Sequence, residues 1–175
     1  MSERQKASKF RSEMRQRYGK DVHVQIIQDA RNTQKKPYDT YVVKKGKFYA
    51  LEFKEVTGLS ISAGCVTNNQ ILSLLEVVAN GGTALVWVFF KRKEFQKISY
   101  CFTIQEWLML FGYKQTDGSD TPSPMWMSTI NSVKVEGLKE IHNYNKLLME
   151  RKSINGATMW TFGKMFRLRK FHELA

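Results

Sequence analysis

Apolar residues recur at two periods along this chain, and the changes of period mark its elements. Ala7, Phe10, Met14 and Tyr18 return at three- and four-residue spacing, which predicts a helix stopped by Gly19. Val22, Val24 and Ile26 then alternate with polar residues, as in a half-buried strand. Asp29 to Pro37 reads as a loop. Thr40 to Val43 and Lys47 to Phe53 are β-branched and aromatic runs about Lys45-Gly46, a hairpin signal. Gly58 to Val66 is a run of small residues read as a loop. Thr67 to Ala79 predicts a helix with Ile71, Leu74, Leu75 and Val78 on one face, ended by Asn80-Gly81-Gly82. Thr83 to Phe90 is continuously apolar, so it predicts a strand buried on both faces.

Beyond that strand, Ile98 to Thr103 reads as another, Ile104 to Phe111 as a short amphipathic helix, and Gly112 to Pro124 as a loop. Gly137 to Arg151 predicts a helix with Leu138, Ile141 and Leu148 inward, and Thr158 to Leu174 is helical or irregular. A helix between the Glu52 strand and the most buried strand implies a right-handed crossover and parallel pairing. The expected fold is α/β, a mixed central β-sheet flanked by helices.

Composition narrows the function. The 175 residues suit one domain, with 42% hydrophobic and 25% charged residues. No apolar run approaches a membrane span, and Met1 to Lys20 is charged throughout, which argues against secretion and membrane insertion. Cys65 and Cys101 are too few for a disulfide framework and are not spaced for zinc, and the three histidines are scattered. The net charge of +12 and sequence pI near 9.7 change the picture most. A domain this basic attracts polyanions, nucleic acid first and a membrane surface second. The basic residues cluster in Met1 to Lys20, at Lys35-Lys36, at Lys44, Lys45 and Lys47, at Lys91 to Lys93, and at Lys164 to Lys170.

The candidate chemistry lies on the hairpin. Side chains alternate along a strand, so Glu52 and Lys54 share a face while Leu51 and Phe53 point to the other. A two-residue turn at Lys45-Gly46 pairs Lys44 with Lys47 and sets Asp39 opposite Glu52, with Cβ atoms about 4.5–5.5 Å apart. Two carboxylates so placed repel unless a cation sits between them, and the oxygen donors suit Mg²⁺. Chance alone supplies about one Glu-x-Lys triplet in such a composition. A second triplet, Glu150-Arg151-Lys152, has no acidic partner. The competing view makes Asp39 and Glu52 solvated residues on an exposed sheet face.

An Asp on one strand, Glu-x-Lys on the next, and a Gln near the start of the following helix resemble, in that order, the PD-(D/E)XK nucleases. Within that superfamily the chain is most similar to the RecU-type Holliday junction resolvases. The residues concerned are Tyr38-Asp39, Ala50-Leu51-Glu52-Phe53-Lys54-Glu55, Asn69-Gln70 and Val77-Val78-Ala79-Asn80-Gly81-Gly82, followed by the apolar strand Ala84 to Phe90. The match runs from about Pro37 to Phe111. It departs from the family where Tyr38 separates Pro37 from Asp39, in lacking a Gly-rich opening of the first helix, and in a short, weakly basic Gly58 to Val66.

The resemblance implies a single nuclease domain over 1–175, with a restriction-endonuclease-like core at about 8–111 and a helical, basic extension at about 125–175. It implies an endodeoxyribonuclease dependent on Mg²⁺ or Mn²⁺, with Asp39, Glu52 and the Phe53 backbone carbonyl as metal ligands. Lys54 would position or help deprotonate water, and Gln70 would support the site, although Thr67 to Gln70 is also a capping box. Glu13 matches the acidic residue of the first helix, with Glu3 as the alternative. Arg11, Arg15, Arg17, Lys35, Lys36, Lys44, Lys45 and Lys47 would hold the DNA backbone. The implied setting is the cytoplasm of a bacterium or phage-infected host, with a homodimer acting on four-way junctions. The alternatives are another DNA endonuclease of the same fold, or a basic nucleic-acid-binding protein without catalysis.

Overall fold

The computed structural model describes residues 2–28, 36–116, 125–138 and 147–166. Helix α1 (Glu3–Tyr18) begins at a Ser2–Gln5 capping box and ends at Gly19. Strands β1 (Val22–Ile26), β2 (Thr40–Lys44) and β3 (Lys47–Val56) form an antiparallel meander. The β2–β3 turn has positive φ at both Lys45 (49°) and Gly46 (75°), the twist that a two-residue hairpin needs. It pairs Lys44 with Lys47 and Thr40 with Leu51, the register expected from the turn length.

Strand β4 (Ser60–Ser62) follows, short and within the segment expected to be loop. Helix α2 (Asn68–Ala79) then carries the chain across to β5 (Thr83–Phe90), which lies parallel to β3 with Glu52 beside Val86 and Lys54 beside Val88. Strand β6 (Ile98–Thr103) turns back antiparallel to β5 and feeds α3 (Ile104–Leu110). Two short two-stranded sheets, β7 (Lys114–Thr116) with β8 (Met125–Met127), and β9 (Ser132–Lys134) against β4, cover the α2 side.

The last third differs from the expected helix at Gly137 to Arg151. Only α4 (Val135–Leu138) is helical there, and Leu147 to Ile154 is strand β10, paired antiparallel with β6. Ile141 lies outside the described residues. Strand β11 (Ala157–Trp160) pairs with β10 about Asn155-Gly156, whose φ values of 50° and 79° are those of an Asn-Gly hairpin. Thr158 to Leu174 therefore opens as strand, followed by the short helix α5 (Gly163–Phe166). Tertiary pairing decides this segment: the free edge of β6 supplies hydrogen-bond partners that an amphipathic helical pattern would leave unused.

The result is a mixed seven-stranded sheet in the order β1-β2-β3-β5-β6-β10-β11, with helices on both faces. On one face Phe10 packs against Phe53, Trp87 and Phe162 at 5.3–5.5 Å and docks α1. On the other, Ala50, Val86 and Val88 pack with Ile71 and Leu74 of α2. Helix α1 runs antiparallel to β3, since Lys6 meets Glu55 near the end of β3 and Lys44, beside the hairpin turn, lies over the Tyr18 ring. Among the described residues no helix is long and apolar enough to cross a membrane.

Candidate active site

Alternation along β3 sends Leu51, Phe53 and Glu55 to the α1 face and Glu52 and Lys54 to the α2 face. Glu52 is 1% exposed. Its Oε1 accepts from Lys54 Nζ at 2.7 Å and from Gln70 Nε2 at 2.5 Å. Its Oε2 is buried and has no hydrogen-bond partner among the described residues. Burial, and then the nearby Asp39 charge, push the Glu52 carboxyl up to about 7. Burial works against the Lys54 charge too, but the Glu52 carboxylate outweighs it and holds the ammonium above its ordinary value.

Asp39 immediately precedes β2 and is 3% exposed. Its N–H donates to the Leu51 carbonyl, one residue out of the register that would set it opposite Glu52, and its Oδ2 accepts from the Phe53 N–H at 2.8 Å. The N–H and C=O of one strand residue leave by the same strand edge, so the Phe53 carbonyl faces the Asp39 side. The β2 ladder ends at Thr40–Leu51, so it supplies no partner for that carbonyl. Asp39 Oδ1 is held by Lys36 Nζ at 2.6 Å.

Gln70 both caps α2 and contacts Glu52. Its Oε1 accepts from the Thr67 N–H, and its own N–H donates to Thr67 Oγ1, closing the capping box of α2. Its Nε2 remains to reach Glu52. The cap thus fixes the rotamer that presents the amide to the carboxylate.

Glu13 is placed elsewhere. Both its oxygens accept from Arg151 of β10, at 2.7 and 2.8 Å, within the α1 face of the sheet. The acidic residue of α1 whose charge is felt at Glu52, Lys54 and Cys65 is Glu3. The antiparallel course of α1 explains this: its first turn overhangs the end of β3, and Glu13 lies about 15 Å further along the axis. The apolar period showed which side of α1 is buried but not the direction in which the helix crosses the sheet.

The expected DNA-binding residues do not gather in one place. Arg11, Arg15 and Arg17 lie along α1, Arg17 over the Tyr18 ring at 5.3 Å. Lys45 and Lys47 are exposed beside the hairpin turn, about 17 Å along β3 from Glu52. Lys44 is held over the Tyr18 and Phe166 rings. Lys36 is engaged with Asp39, and Lys35 lies outside the described residues. The roles of Arg151, Lys6 and Glu55 were not legible beforehand, although Glu55 carried a signal: alternation places it on the face opposite Glu52.

Among the described residues no group of three or more His, Cys, Asp or Glu side chains converges. The donor set still fits a hard cation. Mg²⁺ is commonly held by one or two carboxylates with retained water, and here two carboxylates flank a backbone carbonyl. The partnerless Glu52 Oε2 is a buried acceptor that only a proton, a water or a cation would satisfy.

No protein-family model matches the chain, and no curated protein matches it. Among solved structures it is similar to Hjc, a Holliday junction resolvase from the archaeal hyperthermophile Archaeoglobus fulgidus. The two are 12% identical, with 75% of this chain and 98% of that chain covered at a TM-score of 0.41.

Proposed function

We propose that this chain is a divalent-metal-dependent endodeoxyribonuclease, with Asp39, Glu52, Lys54 and Gln70 as its centre. The observation that carries the reading is the buried, partnerless Glu52 Oε2 beside Asp39. Glu106 also has a buried, partnerless Oε2 and a carboxyl pushed up to about 7 by burial, but only Glu52 has a second carboxylate, Asp39, adding to the shift. Asp39, Glu52 and the Phe53 carbonyl would hold Mg²⁺ or Mn²⁺. When bound, the ion lowers the pKa of its water and offsets charge on the phosphate.

The chain's own residues do the rest. Gln70 orients the Glu52 carboxylate. Lys54, anchored on the same oxygen, places an ammonium where phosphate charge develops, in a site dry enough for that charge to count. Lys36 neutralises Asp39 and would yield to the ion. The excess of basic residues holds the phosphate backbone without reading bases, so affinity should fall steeply with salt.

The four-way junction as substrate, and a homodimer to cut it symmetrically, rest on the resemblance of the motif order to RecU-type resolvases. The test is incubation of the chain with four-way, linear duplex and single-stranded DNA, with and without Mg²⁺. Metal-dependent cleavage is expected, fastest on the junction. Equal cutting of linear duplex would leave a nuclease without junction preference. Binding with no cleavage under any metal would sink the catalytic reading.

A further inference from the structure

On the sheet face opposite Glu52, where β3 and β5 end, a cavity of about 410 Å³ opens between α1 and the last strands. Its size lies in the range of small-molecule sites. Lys6, Lys9, Lys91 and Arg151 line it, with Phe89 and Trp160 among its apolar walls. Lys6 lies over the Phe89 ring at 4.5 Å, and Arg151 over the Trp160 indole at 5.1 Å.

The charges do not balance. Lys6 and Lys91 share a single carboxylate, Glu55, at 2.6 and 3.2 Å. Arg151 is matched by Glu13. Lys9 is exposed and has no ionic partner among the described residues. Four cations thus meet two carboxylates, a surplus of two positive charges at one mouth. That surplus suits consecutive phosphodiesters of a nucleic-acid strand, which carry one negative charge each.

Arg151 is rigid for so long a side chain. Glu13 grips its Nη1, and its Nη2 donates to the Thr158 carbonyl at 2.8 Å. A guanidinium laid on indole and facing a cavity is a stacking surface for a flat aromatic ring.

We propose that this cavity binds a nucleotide of a DNA strand, its base against Arg151 and Trp160 and its phosphate on Lys9 and Lys91. Glu55 stands three residues beyond Glu52 on β3, about 10 Å away, so a strand crossing this sheet end would reach both faces. The site would then hold the strand beside the cleavage centre. It does not depend on the nuclease reading, because it is tested in EDTA, where no metal-dependent cleavage occurs.

The experiment is fluorescence anisotropy of a 3′-labelled oligothymidylate with the full chain. The paired substitution Lys9→Ala and Lys91→Ala should weaken binding about tenfold, because both side chains reach the phosphate as charged donors. Lys114→Ala with Lys134→Ala removes the same charge at exposed positions on β7 and β9 and should cost threefold or less, about what charge alone is worth. Competition on the parent chain needs no variant: dAMP should displace the oligonucleotide at about a tenth of the concentration of inorganic phosphate, the stacked base making the difference. Equal losses in the two paired variants would overturn the proposal. So would phosphate competing as well as dAMP, or a parent chain that does not bind the oligonucleotide. Failure of cleavage in Mg²⁺ with these binding results intact would remove the nuclease reading alone.

Discussion

Glu52 and Glu55 stand three residues apart on β3 and face opposite sides of the sheet. Glu52 has one ammonium for one oxygen and nothing for the other, and its carboxyl is pushed up to about 7. Glu55 is also partly buried, but the hydrogen-bonded Lys6, backed by Lys91, more than offsets that burial and holds its carboxyl below the ordinary range. The same residue type on the same strand is thus under-compensated on one face and over-compensated on the other. A carboxylate short of cations leaves its charge uncompensated when ionised, whereas a carboxylate shared by two ammoniums is held ionised by them. Environment alone sets two carboxyls on one strand apart, one raised and one lowered.

The sharpest way to break this contrast is to remove the under-compensated pair. Asp39→Asn and Glu52→Gln should each lower Mg²⁺-dependent cleavage by about 10³-fold while DNA affinity is kept or rises, because each substitution removes a negative charge that repels phosphate. Cleavage and gel-shift assays on the same preparations measure both, and full activity in either variant would take that residue out of the centre.

Lys54 comes next. Lys54→Ala should lower kcat by about 10²-fold and change the DNA Kd by less than about threefold, since one ammonium among 28 basic residues adds little to overall attraction. Steady-state kinetics with titrated DNA separate the two, and equal losses in rate and affinity would make Lys54 an ordinary backbone contact.

Stability should split along the same line. A carboxyl whose folded pKa is raised contributes stability that is fully present below its unfolded value and is lost as pH rises through the folded one. For Glu52 the window runs from 4.5 to about 7. Metal-free protein at pH 8 should therefore gain about 1–3 kcal/mol from Glu52→Gln, and little at pH 4. The sign is opposite for Glu55, whose lowered folded pKa makes it stabilising above the unfolded value, so Glu55→Gln should lower Tm at pH 8. Thermal melts at both pH values in EDTA decide it. A Glu52→Gln protein that melts lower at pH 8 would mean its carboxylate is satisfied after all.

The smallest effect on the centre should come from α1. Glu3→Gln should raise the Mg²⁺ concentration needed for half-maximal cleavage by a few-fold, because Glu3 adds a distant negative charge to the site. Glu13→Gln should leave that requirement unchanged and cost about 1–3 kcal/mol in stability, having broken the two-oxygen grip on Arg151. Metal titration and thermal melts distinguish them, and the reverse pattern would restore Glu13 to the centre.

The β2–β3 register from Lys44–Lys47 down to Thr40–Leu51 was legible from the chain because a two-residue turn and strand alternation are short-range rules, but the pairing stops there, one residue short of Asp39 and Glu52. The α2 cap was legible for the same reason, and Gln70 could be named before its reach to Glu52 was visible. The Asn155-Gly156 turn is equally local, and it lies just past the helix expected at Gly137 to Arg151, in a stretch for which the pattern predicts no element.

Other features depended on elements distant in sequence. The run of α1 antiparallel to β3 made Glu3 the acidic residue of that helix whose charge is felt at Glu52, while Glu13 pairs with Arg151. The free edge of β6 made β10 a strand and thereby brought Arg151 to Glu13 and to the cationic cavity. The sequence by itself determined which residues share a strand face and which turns join them, because those follow from backbone geometry over a few residues. Only the tertiary structure decided which carboxylates are buried without enough cations, because desolvation and charge pairing are summed over everything that packs around a site.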